Sequence, residues 1–194
     1  PHGGGIRLMT RNRKNRNATY PELVDALAPM EGPGFIVDGE VVAFTGGKGG
    51  SGRLTSFSRL QDRIHVEDEG EARERAKRVA VHLYLFDILW VDGADVTGLP
   101  LRTRKRLLHA AVDFDGPIHF TPHRNEEGVA YWKEACRRGW EGVIAKDARS
   151  TYVHSRSTKW LKLKCVHRQE FVVGGFTEPD GERVGFGALL LGTY

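Results

Sequence analysis

Ser157-Thr158-Lys159-Trp160-Leu161-Lys162-Leu163-Lys164 packs three lysines, a tryptophan and two leucines into eight residues. The alternation from Trp160 onward reads as a strand, with Trp160, Lys162 and Lys164 on one face and Leu161 and Leu163 on the other. The leucines are expected to belong to a core. The two lysines on the opposite face are rooted roughly 7 Å apart, from two residues at about 3.3 Å rise each. That spacing suits a grip on one phosphate. A lone KxK would be no more than a solvated strand face, so the decision rests on what precedes it.

Composition sets the frame. The chain has 194 residues, 40% hydrophobic and 28% charged, a balance that suits one large globular domain or one domain with part of another. No apolar run reaches the length of a membrane span, and the start carries no secretory signal. A net charge of +4 permits a polyanionic partner without requiring one. Cys136 and Cys165, the only cysteines, lack metal-type spacing and are expected to be structural thiols in a reducing compartment. Pro1 at the start is expected to mark a chain either processed or cut from something longer, and the apolar run Ala188–Tyr194 at the end is expected to be a cut end.

Upstream of the lysine strand the elements follow in order. Ile6 to Thr10 reads as a short strand, followed by the basic loop Arg11–Asn17. Thr19 with Glu22 reads as a capping box for a helix that buries Leu23, Ala26 and Leu27. Phe35 to Phe44 (FIVDGEVVAF) is a strand with Asp38 and Glu40 on one face and Gly39 marking a close backbone approach. The segment Gly46–Gly52 lacks phosphate-loop spacing and reads as a hairpin connection. Helices are expected over 56–63, 67–80 and 99–111, the last a basic helix with its arginines on a solvated face. Val81 to Trp90 (VHLYLFDILW) is the most apolar strand and ends at the turn Asp92-Gly93. Asn125 is expected to cap a helix ending at Gly139. Glu141 to Lys146 (EGVIAK) is a strand; on it Lys146 faces away from Glu141 and is set aside as a direct ligand. After Lys164 the pattern turns all-β, with strands over 170–176 and 186–191 around the turn Pro179-Asp180-Gly181.

Four stretches in this order, VDGEVVAF, YLFDILWVDG, EGVIAK and STKWLKLK, resemble the nucleotidyltransferase motifs of the ATP-dependent DNA ligases, a superfamily shared with RNA ligases and mRNA capping enzymes. SFSRLQDR and CVHRQEFVVGGFTEPDGERVGFGALLLGTY resemble, more narrowly, the bacterial end-joining ligases of the ligase D type. The resemblance implies an α/β (α+β) fold: residues 1–166 as an adenylation domain with antiparallel-rich sheets lacking its N-terminal part, and 167–194 as the truncated beginning of an OB-fold barrel. It implies a bacterial, cytoplasmic, nucleoid-associated enzyme that seals nicked or broken double-stranded DNA. The end-joining protein Ku is an implied partner.

The implied reaction has three steps: a lysine takes AMP from ATP, AMP passes to the 5′-phosphate of the nick, and the 3′-hydroxyl displaces it. The resemblance assigns Glu40 to the nucleotide or the metal, Phe86 to stacking on adenine, and Glu141 to a divalent Mg²⁺ or Mn²⁺. It assigns Lys162 and Lys164 to the α-phosphate, and Arg11 to the phosphate at the nick. Asp38 lies in the motif of Glu40. These residue types suit the chemistry, because adenylyl transfer builds negative charge that lysines and a hard cation offset best in a preorganised site.

One motif is absent. The nucleophile of the family is the lysine of KxDGxR, and no Lys-x-Asp-Gly occurs in these 194 residues. The chain alone is therefore expected not to form an enzyme-adenylate. Two other readings stay open at this point: an RNA ligase or capping-type nucleotidyltransferase, and a non-catalytic nucleotide- or nucleic-acid-binding module.

Overall fold

The computed structural model describes residues 5–32, 34–45, 54–165, 171–179, 181 and 184–193. The glycine-rich segment read as a hairpin connection lies outside these residues. The fold is a mixed α/β arrangement with antiparallel sheets, as expected. It divides into two compact units, Pro1–Lys164 and Cys165–Tyr194.

The first unit is built on strands β1 (Phe35–Ala43) and β2 (Val81–Val91), which pair antiparallel along their whole length. Two short strands extend the sheet, β3 (Ala94–Asp95) antiparallel and β4 (Ile118–Phe120) parallel to β2. The β2–β3 turn is the expected Asp92-Gly93, with positive φ of 48° and 81° at its two central residues. At Gly39 β1 leaves no room for a side chain against β2. A Cβ there would lie 2.8 Å from the Tyr84 carbonyl oxygen and 2.7 Å from a Leu85 methyl.

Helices α1 (Pro21–Leu27) and α4 (Leu101–Ala111) cover the sheet. Leu23 of α1, Leu83, Leu85 and Ile88 of β2, Leu108 of α4 and Ile118 of β4 form the centre of the buried cluster. Helices α2 (Phe57–Ile64) and α3 (Glu69–Ala76) are capped by the side chains of Ser56 and Asp68. Helix α5 (Gly128–Arg137) packs beside a two-stranded antiparallel ribbon, β5 (Gly142–Lys146) and β6 (Trp160–Lys164). In the second unit β7 (Val172–Phe176) and β8 (Leu189–Gly192) form an antiparallel pair. Among the described residues no helix is long and apolar enough to cross a membrane.

Several expectations are corrected. Ile6–Thr10 is not a strand: Met9 makes only an isolated bridge to Asn15. Thr19 does not cap α1. It is buried, its carbonyl accepts from Arg63, and Glu22 pairs with that same guanidinium. Helix α3 is shorter than 67–80, and the strand expected from 186 begins only at 189. Asn125 caps nothing, because α5 starts at Gly128 after Glu126 and Glu127 in left-handed backbone. Neither Cys136 nor Cys165 is a free thiol.

Two corrections concern the key elements. Leu161 and Leu163 are not core residues, being 51% and 40% exposed. A two-stranded ribbon buries only what another layer covers, and these two side chains stay largely open. Conversely, the basic helix α4 does not hold all its cations in water. Arg104 is fully buried and Lys105 nearly so, between Leu101 and Leu108 on the same face.

Candidate active site

The β5–β6 register decides which side chains of the two lysine motifs meet. Ile144 lies opposite Lys162, and Lys146 lies opposite Trp160. Directly opposed residues point to the same face, so Lys146 joins the Trp160–Lys162–Lys164 face. Gly142 makes this register possible. Its φ is +153°, and a Cβ would sit 2.1 Å from the Leu163 carbonyl oxygen.

That face meets β2 at Phe86. The Phe86 and Trp160 rings are edge to face, with centroids 6.0 Å apart. The Lys146 ammonium lies over both, 4.2 Å from the Phe86 centroid and 3.6 Å from that of Trp160. Burial pushes the amine down to about 8, and the Asp87 carboxylate partly opposes this.

Next to Phe86 in sequence, Asp87 is half of a fully buried ion pair. Arg104 Nε donates to Asp87 Oδ1 at 2.7 Å and its Nη2 to Oδ2 at 2.8 Å. The remaining Nη1 donates to the carbonyls of Leu99 and Ser150. Each of the three guanidinium nitrogens thus has an acceptor, which is what a buried guanidinium requires. Lys105 donates to the Thr121 carbonyl and rests on the Phe120 ring.

The two glutamates of the motifs, Glu40 and Glu141, lie at the surface. Glu141 accepts from Lys162 Nζ at 2.6 Å, and that bond holds its carboxyl below the usual range. Glu40 is exposed on β1, in register with Tyr84. Asp38, half-buried two residues earlier, accepts from the Tyr152 hydroxyl at 2.8 Å. Lys164 is exposed, and its carbonyl receives the indole N–H of Trp132. Arg11 is exposed in the turn after Thr10, and none of the bonds among the described residues joins it to the residues around Phe86. No cluster of three or more His, Cys, Asp or Glu poised for a metal occurs among the described residues. Exposed carboxylate oxygens suit Mg²⁺ nonetheless, which takes one or two carboxylates and fills its remaining positions with water and phosphate.

The structure therefore brings Phe86, Trp160, Lys162 and Glu141 to one region. Lys146 and Tyr152 join them, although sequence reasoning set the first aside and passed over the second. For Lys146 the signal was available: pairing EGVIAK antiparallel with WLKLK puts it opposite Trp160.

The model of the ATP-dependent DNA ligase domain matches residues 1–164. The chain belongs to that family. It is 36% identical over 193 residues to the multifunctional non-homologous end joining protein LigD of Pseudomonas aeruginosa, covering 98% of this chain and 21% of the relative. It is 32% identical to a DNA ligase of Pyrobaculum calidifontis, covering 98% of this chain and 34% of that protein. Among solved structures, mycobacterial DNA ligase D complexed with ATP and MES superposes with a TM-score of 0.68 at 28% identity, covering 97% of this chain and 55% of that one. The chain thus spans about a fifth to a third of the length of the curated relatives it matches. Within this ligase family, the face shared by β5 and β6 and the Phe86 wall of β2 form the candidate site.

Proposed function

We propose that this chain forms part of the adenylation domain of an ATP-dependent DNA ligase that joins nicked or broken double-stranded DNA in end joining. The observation that carries the reading is the convergence of Phe86, Lys146, Trp160 and Lys162, from three strands, on one aromatic and cationic region. Phe86 offers a flat face to adenine. Lys162 and Lys164 grip the α-phosphate and offset its growing charge as AMP is transferred. Lys146, already desolvated, supplies a further cation beside the base.

In the free protein Glu141 and Lys162 neutralise each other. With nucleotide bound, the phosphate takes Lys162, and Glu141 with Glu40 is left to hold a divalent metal. That cation, Mg²⁺ or Mn²⁺, shields charge on the phosphates. Arg11 contacts phosphate at the nick. Residues 1–166 make up the adenylation domain, and 167–194 begin an OB-fold. Ku is the expected end-joining partner, and the bacterial cytoplasm, at the nucleoid, is the expected location.

The chain itself has no Lys-x-Asp-Gly, so it binds nucleotide without becoming adenylated. Incubation with α-labelled ATP tests this. The expected result is no acid-stable AMP on this chain, and sealing of nicked DNA in preference to nicked RNA by a ligase that contains it. Covalent AMP on the chain, or preference for RNA, would overturn the reading.

A further inference from the structure

Tyr152 lies in the connection between β5 and β6. The beginning of that connection is fastened to α4 and its approach. Leu101 N–H donates to the Ser150 carbonyl, Arg102 N–H to that of Ala148, and Arg104 adds a third bond at Ser150. The Tyr152 amide is tied to the Thr97 carbonyl at 2.8 Å. Beyond it, Val153 to Arg156 are exposed, as are Thr158 and Lys159, until β6 begins at Trp160. Tyr152 is thus the last residue tied to the approach to α4; the connection is next held at Lys159, whose carbonyl accepts from the Asp147 amide just before β6 begins.

Its side chain reaches back across the site. The phenol donates to Asp38 on β1 at 2.8 Å. The ring stands edge to face against Trp160, with centroids 6.0 Å apart, and the Arg104 guanidinium lies 5.7 Å from its centroid. Burial and the bond to Asp38 push the phenol's pKa up, so its proton stays in place as the donor. Asp38 is in register with Asp87, whose carboxylate holds Arg104. Two neighbouring acids therefore anchor the two layers: Asp87 takes the Arg104 guanidinium, and Asp38 takes the phenol beside Trp160.

We propose that Tyr152 is a positioning residue: its hydrogen bond to Asp38 is a strut that fixes the spacing between Phe86 on β2 and the phosphate-gripping lysines of β6. The proposal rests on the nucleotide reading of Phe86, Lys162 and Lys164. A phenylalanine would fill the same volume, so the hydroxyl serves geometry more than packing. Adenosine needs only the Phe86 wall, whereas AMP needs the wall and the lysines at the right separation. Loss of the strut should then weaken AMP selectively.

The test is calorimetric binding of adenosine and of AMP to the chain in EDTA, which removes any metal contribution. Tyr152→Phe is expected to keep adenosine affinity within about twofold and to lower the AMP-over-adenosine preference about tenfold, in line with the sensitivity of preorganised sites to small displacements. Asp38→Ala should do the same. The double variant should be no worse than the worse single, because both remove one bond. Asp38→Asn keeps an acceptor and should lose less than Asp38→Ala. Equal weakening of adenosine and AMP, or additive losses in the double variant, would overturn the strut. Failure of the unaltered chain to bind AMP better than adenosine would overturn the nucleotide reading itself, and the strut with it.

Discussion

The two sheets that meet at Phe86 are held together by different physics. The four-stranded sheet carries the buried apolar cluster of Leu83, Leu85, Ile88, Leu108 and Ile118, pinned by the dry Asp87–Arg104 pair. The β5–β6 ribbon has exposed leucines on one face and polar or aromatic ties on the other: Tyr152 to Asp38, Lys146 over two rings, Lys162 to Glu141. Burial scales with area and sets most of the stability, whereas an exposed ion pair such as Lys162–Glu141 contributes little and exchanges partners readily. One half is a fixed wall. The other is a ribbon whose cations are free to trade a carboxylate for a phosphate. A site that must bind and release a charged group needs that asymmetry.

The comparison breaks first at Arg104. Arg104→Met strands the Asp87 carboxylate in the core and should destabilise the chain by about 3–5 kcal/mol. Urea unfolding measures it; a loss below about 1 kcal/mol would mean that the wall does not depend on the pair. Gly142→Ala should cost about 1–3 kcal/mol, since only glycine tolerates that backbone against the Leu163 carbonyl. Its effect should stay in the ribbon, seen as faster amide exchange over 160–164 with β1 and β2 unchanged.

The third test is titration of Lys146. Its folded value of about 8 lies below the ordinary lysine value of 10.5. Between these values the unfolded chain binds more protons, so stability should rise with pH, by at most about 1.4 kcal/mol per pH unit. Below pH 8 both states are protonated and the contribution is flat. Lys146→Met should remove the slope, and a variant that keeps it would show that the amine is not desolvated. The smallest expected effect is that of Glu141→Gln. With both partners exposed, its pair with Lys162 should be worth no more than about 1 kcal/mol.

The sequence made the wall more legible than the ribbon. Strong alternation in VHLYLFDILW and the two-residue turn at Asp92-Gly93 placed β2 and its Phe86 correctly. The buried charge of α4 was legible too. Leucines at 101 and 108 commit 104 and 105 to the same face, yet the abundance of arginine suggested solvent. In the ribbon, alternation alone put Leu161 and Leu163 in a core, because periodicity reports which side chains share a face and not whether a layer covers it. The Tyr152–Asp38 bond joins residues far apart in sequence with no local pattern, so only the folded chain reveals it. The motif resemblance named Glu40, Phe86, Glu141, Lys162 and Lys164 but gave no reason to include Lys146.

The most direct test of the account is nick sealing on duplex DNA with ATP, by a ligase that contains this chain and by its Lys162→Ala/Lys164→Ala variant. Removing preorganised charge from the transferring phosphate should slow sealing by at least about 100-fold, with little change in unfolding because both lysines are exposed. Sealing at near the original rate would contradict the claim that the β6 lysines hold the phosphate.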